Sequence, residues 1–301
     1  MKNKILEANI GMIVNKTLSG LNINALKYLL PLWLAPVVGV TLRICVGAVA
    51  FWLISIFDIP RNNTLRDKFM LFLLGLTFFY GYMYLYLVGL SYTTPVSCAI
   101  FNSMQPIWVF ILSVLFLHEK VRLTKVLGIV LGFGAALLCI LTQPADELAR
   151  NPLLGNLMVM GCSFCYAIFL VLGSRLMRRV DTLTMLRYLF LGGACTALVV
   201  NGICGFDAPL FAGPLQWKPF AVLLFVLLFP TVVGYLFIPM GLKYLSPTTV
   251  AVYGYLILAV AAIVSFALGM DRFSWFQALS ILLICLSIYW VEIAERGGVK
   301  K

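Results

Sequence analysis

Lys16 and Arg43 stand near the middle of long apolar runs, and all eleven Asp and Glu residues fall at the ends of such runs or between them. A cation at the centre of a membrane helix costs about 2.5 to 3.5 kcal/mol on insertion scales, so these two side chains need a partner or water. One reading is that Lys16 is neutral or hydrated and that Arg43, with Lys27 nearer its run's end, bonds to carbonyls or snorkels. The other is that an anionic group of a bound solute completes the pair. Neutral donors and acceptors occupy the same kind of position. Asn22 shares the first run with Lys16 and Lys27, and Asn9, Lys16 and Lys27 recur on one helical face that should line a wet cavity. Cys98, Asn102 and Gln105 share a face of the fourth run, where Pro106 deprives the Asn102 carbonyl of its helical donor. Tyr80 and Tyr84, one turn apart, with Tyr166, Tyr235 and Tyr253, offer hydroxyls that need partners if buried. The candidate substrate-binding set is therefore Lys16, Asn22, Lys27, Tyr80, Tyr84, Asn102, Gln105, Tyr166, Tyr235 and Tyr253. Such a pocket disfavours cationic drugs and lacks the usual carboxylate proton carrier.

The residues for catalysis are missing. There is no GxxxxGK[ST] phosphate loop, no HExxH and no GxSxG, and the sole histidine, His118, ends the fourth run. All eight cysteines lie in apolar runs; Cys162 and Cys165 form a CxxC without the His or Cys cluster that would complete a metal site. No cofactor, metal or enzymatic activity is expected.

What must position the polar residues is a membrane bundle. Of 301 residues, 62% are apolar and 11% charged, and the mean hydropathy is +1.03, outside the range of soluble domains. Ten segments of about 20 residues, each able to cross roughly 30 Å of hydrocarbon, run over 5–29, 33–57, 69–90, 95–117, 123–142, 155–176, 184–205, 219–242, 248–269 and 274–294. Lipid is the expected partner, and the net charge of +11 does not call for nucleic acid because its placement reports orientation. Lys16, Lys27 and Arg43 lie within segments and Arg150, Lys218 and Arg272 on one side; every other Lys and Arg falls on the side of the N-terminus. The positive-inside rule then places both termini in the cytoplasm, with Trp33, Trp217 and Trp275 opening segments at the outer face.

The segments form two copies of one unit. Gly89-Leu-Ser-Tyr-Thr-Thr-Pro returns 152 positions later as Gly241-Leu-Lys-Tyr-Leu-Ser-Pro, and the same offset lays Glu119 over Asp271. Five crossings per unit make residues 1–150 and 151–301 an inverted pair, an architecture of secondary transporters. The copies differ where it matters: Val250, Gly254, Ile257 and Leu258 replace Cys98, Asn102, Gln105 and Pro106, so the Pro106 kink has no proline counterpart and the symmetry is broken at the site. Pro230 and Pro239 interrupt the eighth. The symmetry-related turns at 89–95 and 241–247 could gate the two mouths. Gly128, Gly132 and Ala136 form a small-residue ladder for close helix approach, either within the chain or in a homodimer.

With these residues in place, the chain resembles the drug/metabolite transporter superfamily and its two-repeat EamA-type members. The resemblance is carried by Gly20-Leu21-Asn22 with Lys27, Gly89 to Pro95, Gln105-Pro106-Ile107-Trp108, Glu119, Gly241-Leu242, Ser246-Pro247 and Asp271. It implies an all-α inner-membrane carrier of ten helices, with helices 1, 3, 4, 6, 8 and 9 around a cavity and helices 5 and 10 peripheral. It also implies a small-molecule substrate, such as an amino acid, a related metabolite or a drug, usually exported. The residues themselves favour an anionic or zwitterionic metabolite; the alternatives are an anion-selective pore, which the same cations could line, or a drug efflux carrier.

Overall fold

The structure, a computed structural model, describes residues 2–30, 32–57, 63–92, 101–141, 151–214, 216–267 and 275–299. Pro95, Cys98, Asp271, Arg272 and the side chain of Lys27 lie outside the described residues.

Among the described residues all regular structure is helical, in ten rods: α1 (Lys2–Leu29), α2 (Pro36–Ile54), α3 (Leu65–Tyr92), α4 (Gln105–Leu117), α5 (Leu123–Leu141), α6 (Pro152–Met177), α7 (Thr182–Cys204), α8 (Trp217–Tyr244), α9 (Pro247–Val252 continued by Tyr255–Ala267) and α10 (Trp275–Val299). Local chemistry sets several starts. The side chains of Thr64, Asn151, Asp181 and Ser246 accept from the backbone N–H three residues on, and Pro36, Pro152 and Pro247 open their helices where no amide donor is needed. α4 stops at His118, whose φ of 52° is left-handed.

α2, α3, α6, α7 and α8 are long and apolar enough to cross a membrane on their own composition. α1 has the length but carries too many Asn and Lys residues, as its sequence implied. The apolar stretches of α4, α5, α9 and α10 are shorter; a turn at Ser103–Met104 precedes α4 and its Pro106. Large apolar side chains cover the outside, Ile203 at 80% exposure and Trp275 at 81% among them, as a lipid-facing surface requires.

Two features of the bundle depart from the sequence expectation. Both repeats carry a break at this level, despite the missing proline. α9 breaks at Tyr253–Gly254, two positions before the repeat-related position of Ser103–Met104, without any proline: Gly254 N–H bonds to the Ala251 carbonyl at 2.7 Å, and a Cβ on Gly254 would sit 2.7 Å from that same oxygen. The second feature is a pair of π turns, Gly75–Phe79 in α3 and Leu227–Val233 in α8, which begin 152 residues apart at the repeat-related position. Pro230 explains the second; in the first, Thr77 turns its hydroxyl onto the Leu73 carbonyl at 2.8 Å.

The small-residue ladder is used within the chain. α5 lies on α10, with the Ser287 hydroxyl bonded to the Gly128 carbonyl at 2.8 Å, and a Cβ on Gly132 would come within 2.3 Å of Ser287 Oγ. A tighter crossing joins α3 to α7: a Cβ on Gly192 would lie 2.1 Å from the Phe72 carbonyl oxygen, and one on Gly75 equally close to that of Leu189. Sequence reading overlooked this second crossing, because Gly75 and Gly192 sit in different helices and form no motif together.

Candidate functional site

A cavity of about 140 Å³ lies between the two repeats, extending from mid-bundle away from the face where α1 begins. α1, α3, α4, α6, α8 and α9 supply most of its wall, and α2 adds Arg43. Lys16, Asn22, Asn102, Gln105, Tyr166 and Tyr235 are brought together there, joined by Asn15, Ser19, Tyr82 and Tyr86.

Lys16 is 4% exposed, and among the described residues its Nζ has one hydrogen-bond partner, the Tyr166 hydroxyl at 3.3 Å, with the ring centroid at 5.8 Å. An ammonium carries three donors, and the Tyr166 hydroxyl takes up one of them. Arg43 donates through Nε to Thr231 Oγ1 at 3.1 Å, and the Thr231 hydroxyl in turn reaches the Val226 carbonyl at 2.9 Å across the π turn. The irregular turn thus orients the guanidinium. Among the described residues neither cation has a carboxylate partner. Acceptors stand beside them: the buried side-chain oxygens of Asn15 and Asn22 lack a hydrogen-bond donor. Asn15 Nδ2 is anchored on the Gly234 carbonyl at 2.8 Å, which leaves its oxygen free. The site therefore offers positive charge and amide oxygens together, the complement of a solute bearing an anionic group and N–H or O–H donors.

The tyrosines sort differently from the sequence reading. Tyr80 and Tyr84 stack on each other at 5.7 Å outside the cavity, and Tyr253 is packed in the core; none of the three is on the lining. The next face of α3 contributes instead, through Tyr82 and Tyr86. Both pairs have the same i, i+4 spacing, and the π turn just before Tyr80 decides which faces inward. The Tyr82 and Tyr235 hydroxyls hydrogen-bond across the repeat boundary. Tyr82 also meets the Tyr166 ring edge-on at 5.2 Å, and beneath this layer Phe79, Phe169 and Phe190 are fully buried, forming an aromatic floor. Asn9 is not on the lining either: it donates to Glu292 of α10.

Below the floor, at the face where α1 begins, polar side chains tie the repeats together. The left-handed turn at His118 delivers Glu119 to Lys125 as an ion pair, and Glu119 Oε2 accepts from Thr248 Oγ1 at 2.8 Å. Lys125, 4% exposed, also donates to Ser246 Oγ at 3.0 Å. On the same face Asp181 accepts from Asn63 and from the Thr184 N–H. Partial burial raises the Asp181 carboxyl, but these hydrogen bonds outweigh it and hold the group below its ordinary value.

Comparison with known proteins agrees with this architecture. The model of the EamA-like transporter family matches residues 7–141 and again 153–293. The chain belongs to that family. It is a multi-pass membrane transporter, not an enzyme, with one family unit on each side of the repeat boundary. An uncharacterized transporter of Bacillus subtilis, YyaM, is 27% identical over 275 residues, 90% of this chain and 88% of its own. A second from the same organism, YvbV, is 27% identical over 271 residues, and an uncharacterized transporter of Archaeoglobus fulgidus is 24% identical over 230. A crystal structure 15% identical in sequence superposes with a TM-score of 0.77 over 96% of this chain and 98% of the other, a likeness of fold alone.

Proposed function

We propose that this transporter is a secondary carrier that exports a small anionic or zwitterionic metabolite, such as an amino acid, by alternating access. The observation that carries the reading is Lys16, buried in the cavity and having, among the described residues, a tyrosine hydroxyl as its one hydrogen-bond partner and no carboxylate partner. A solute carboxylate or phosphate would neutralise it, with Arg43 opposite, and the unfilled oxygens of Asn15 and Asn22 would accept from an ammonium or hydroxyl of the same solute. In this reading the units are residues 1–150 and 151–301, both termini are cytoplasmic and the membrane is the inner one. The positive-inside distribution supports that orientation. The cavity then opens outward, and the Glu119–Lys125 cluster closes the cytoplasmic mouth.

A carrier fits better than an anion-selective pore because the Tyr82–Tyr235 contact and the aromatic floor interrupt the path. The test is counterflow in proteoliposomes loaded with pooled amino acids, organic anions, sugar phosphates and lipophilic cations, with exchanged solutes read by mass spectrometry. Saturable, counter-stimulated exchange of anionic or zwitterionic solutes is expected, abolished by Lys16→Ala without loss of folded protein. Exchange confined to lipophilic cations, or undiminished flux in Lys16→Ala, would sink the reading.

A further inference from the structure

A second concavity, of about 480 Å³, lies on the outer surface between the first turns of α3 and the facing turns of α7. Its wall is apolar throughout: Phe69, Phe72, Tyr188 and Leu191 line it, and Arg66 and Lys68 touch it through the aliphatic stems of their side chains. These residues are ordered along the membrane normal. Arg66 and Lys68 lie in the first turn of α3, at the interface, whereas Phe72 and Leu191 lie further into the apolar span. Phe69 is 58% exposed on a surface that faces lipid, so an acyl chain has open access.

Among the described residues Arg66 and Lys68 have no carboxylate partner, and Lys68 Nζ lies 5.9 Å above the Tyr188 ring centroid. Among the described residues the acids near the start of α3 are engaged by the chain itself: Asp67 by the Thr64 hydroxyl at 2.6 Å, and Asp181 by Asn63 and Thr184. The α3 N-terminus adds its own partial positive charge. A basic rim above an apolar slot, at headgroup depth, is complementary to a phosphodiester joined to acyl chains.

We infer that the α3–α7 groove is a binding site for one anionic phospholipid, its phosphate held by Arg66 and Lys68 and an acyl chain lying over Phe69, Phe72 and Leu191. The groove floor is the close crossing at Phe72 and Gly192, one turn before the π turn that sets Tyr82 into the transport cavity. A lipid held there braces that crossing.

The test is native mass spectrometry of the full-length protein, purified in detergent and titrated with dioleoyl phosphatidylglycerol, dioleoyl phosphatidylcholine or glycerol phosphate. Wild type should retain one phosphatidylglycerol in preference to phosphatidylcholine. The double variant R66Q/K68Q should need roughly thirtyfold more lipid, from the loss of two interfacial cations. R178Q/R179Q, which removes two exposed cations after α6 and leaves the groove intact, should bind as wild type does. Leu191→Trp fills the slot while keeping both cations, and should weaken retention even if R66Q/K68Q proves unstable. Equal loss in both double variants, equal retention of the two lipids, one-for-one displacement by glycerol phosphate, or full retention in Leu191→Trp would overturn the site.

Discussion

Glu119→Gln should destabilise the fold by about 3 to 5 kcal/mol, the usual range when one partner of a buried ion pair is removed. The geometry puts this case in that range. Lys125 and Glu119 side chains are 5% and 15% exposed, so neither charge recovers much hydration once its partner is gone. The amide could still accept from Thr248 through one oxygen, but its NH2 group would face the Lys125 ammonium, which keeps Ser246 as its remaining acceptor. Lys125→Met should be similarly costly, because it leaves a carboxylate with a single hydroxyl donor. The double variant should recover most of the loss: Met fills the volume of the lysine stem, and Gln still serves Thr248. A coupling energy of about 2 to 4 kcal/mol is therefore expected from the cycle. The assay is reversible unfolding in mixed micelles for wild type, both single variants and the double. Single-variant costs that simply add, within about 0.5 kcal/mol, would show that the pair is not a coupled buried unit and would refute the argument.

Gly192→Ala places a methyl 2.1 Å from the Phe72 carbonyl oxygen and 2.9 Å from Leu76 N, both backbone, so α3 and α7 must part; a loss of about 3 kcal/mol is expected. Gly134→Ala, which meets nothing within 4 Å, should be neutral or stabilising in the same thermal-unfolding assay. Tyr235→Phe leaves the buried Tyr82 hydroxyl without its partner and should cost about 1 to 3 kcal/mol, largely restored in Tyr82→Phe/Tyr235→Phe when the melting points are compared. Asp181 has a folded pKa lowered from 3.8, so its contribution is present above that value and disappears as pH falls through the lower folded one. Melting points of wild type should accordingly fall more steeply than those of Asp181→Asn as the medium is taken below about pH 4.

Much of the fold was legible because a bilayer leaves few options. A chain with Lys16, Arg43 and several Asn residues inside otherwise apolar segments has to hide them from lipid, and helices are the spans that satisfy their own backbone. Hence ten helices, two repeats and the gathering of Lys16, Asn22, Asn102 and Gln105 could be anticipated from composition, the 152-residue offset and polar placement. Tyr166 and Tyr235 could be nominated for their hydroxyls, but no local pattern separated Tyr82 from Tyr80 or Tyr86 from Tyr84. Rotation about the α3 axis makes that choice, and it depends on a π turn that the residues Gly75 to Phe79 do not announce. Nor could the sequence pair Asn9 with Glu292, seat Gly192 on Phe72, or show that the Gly128–Gly132 ladder is covered by α10 of the same chain. Each of these joins residues more than a hundred positions apart. Hydropathy and spacing describe one helix at a time, and only packing helices against each other determines which faces meet.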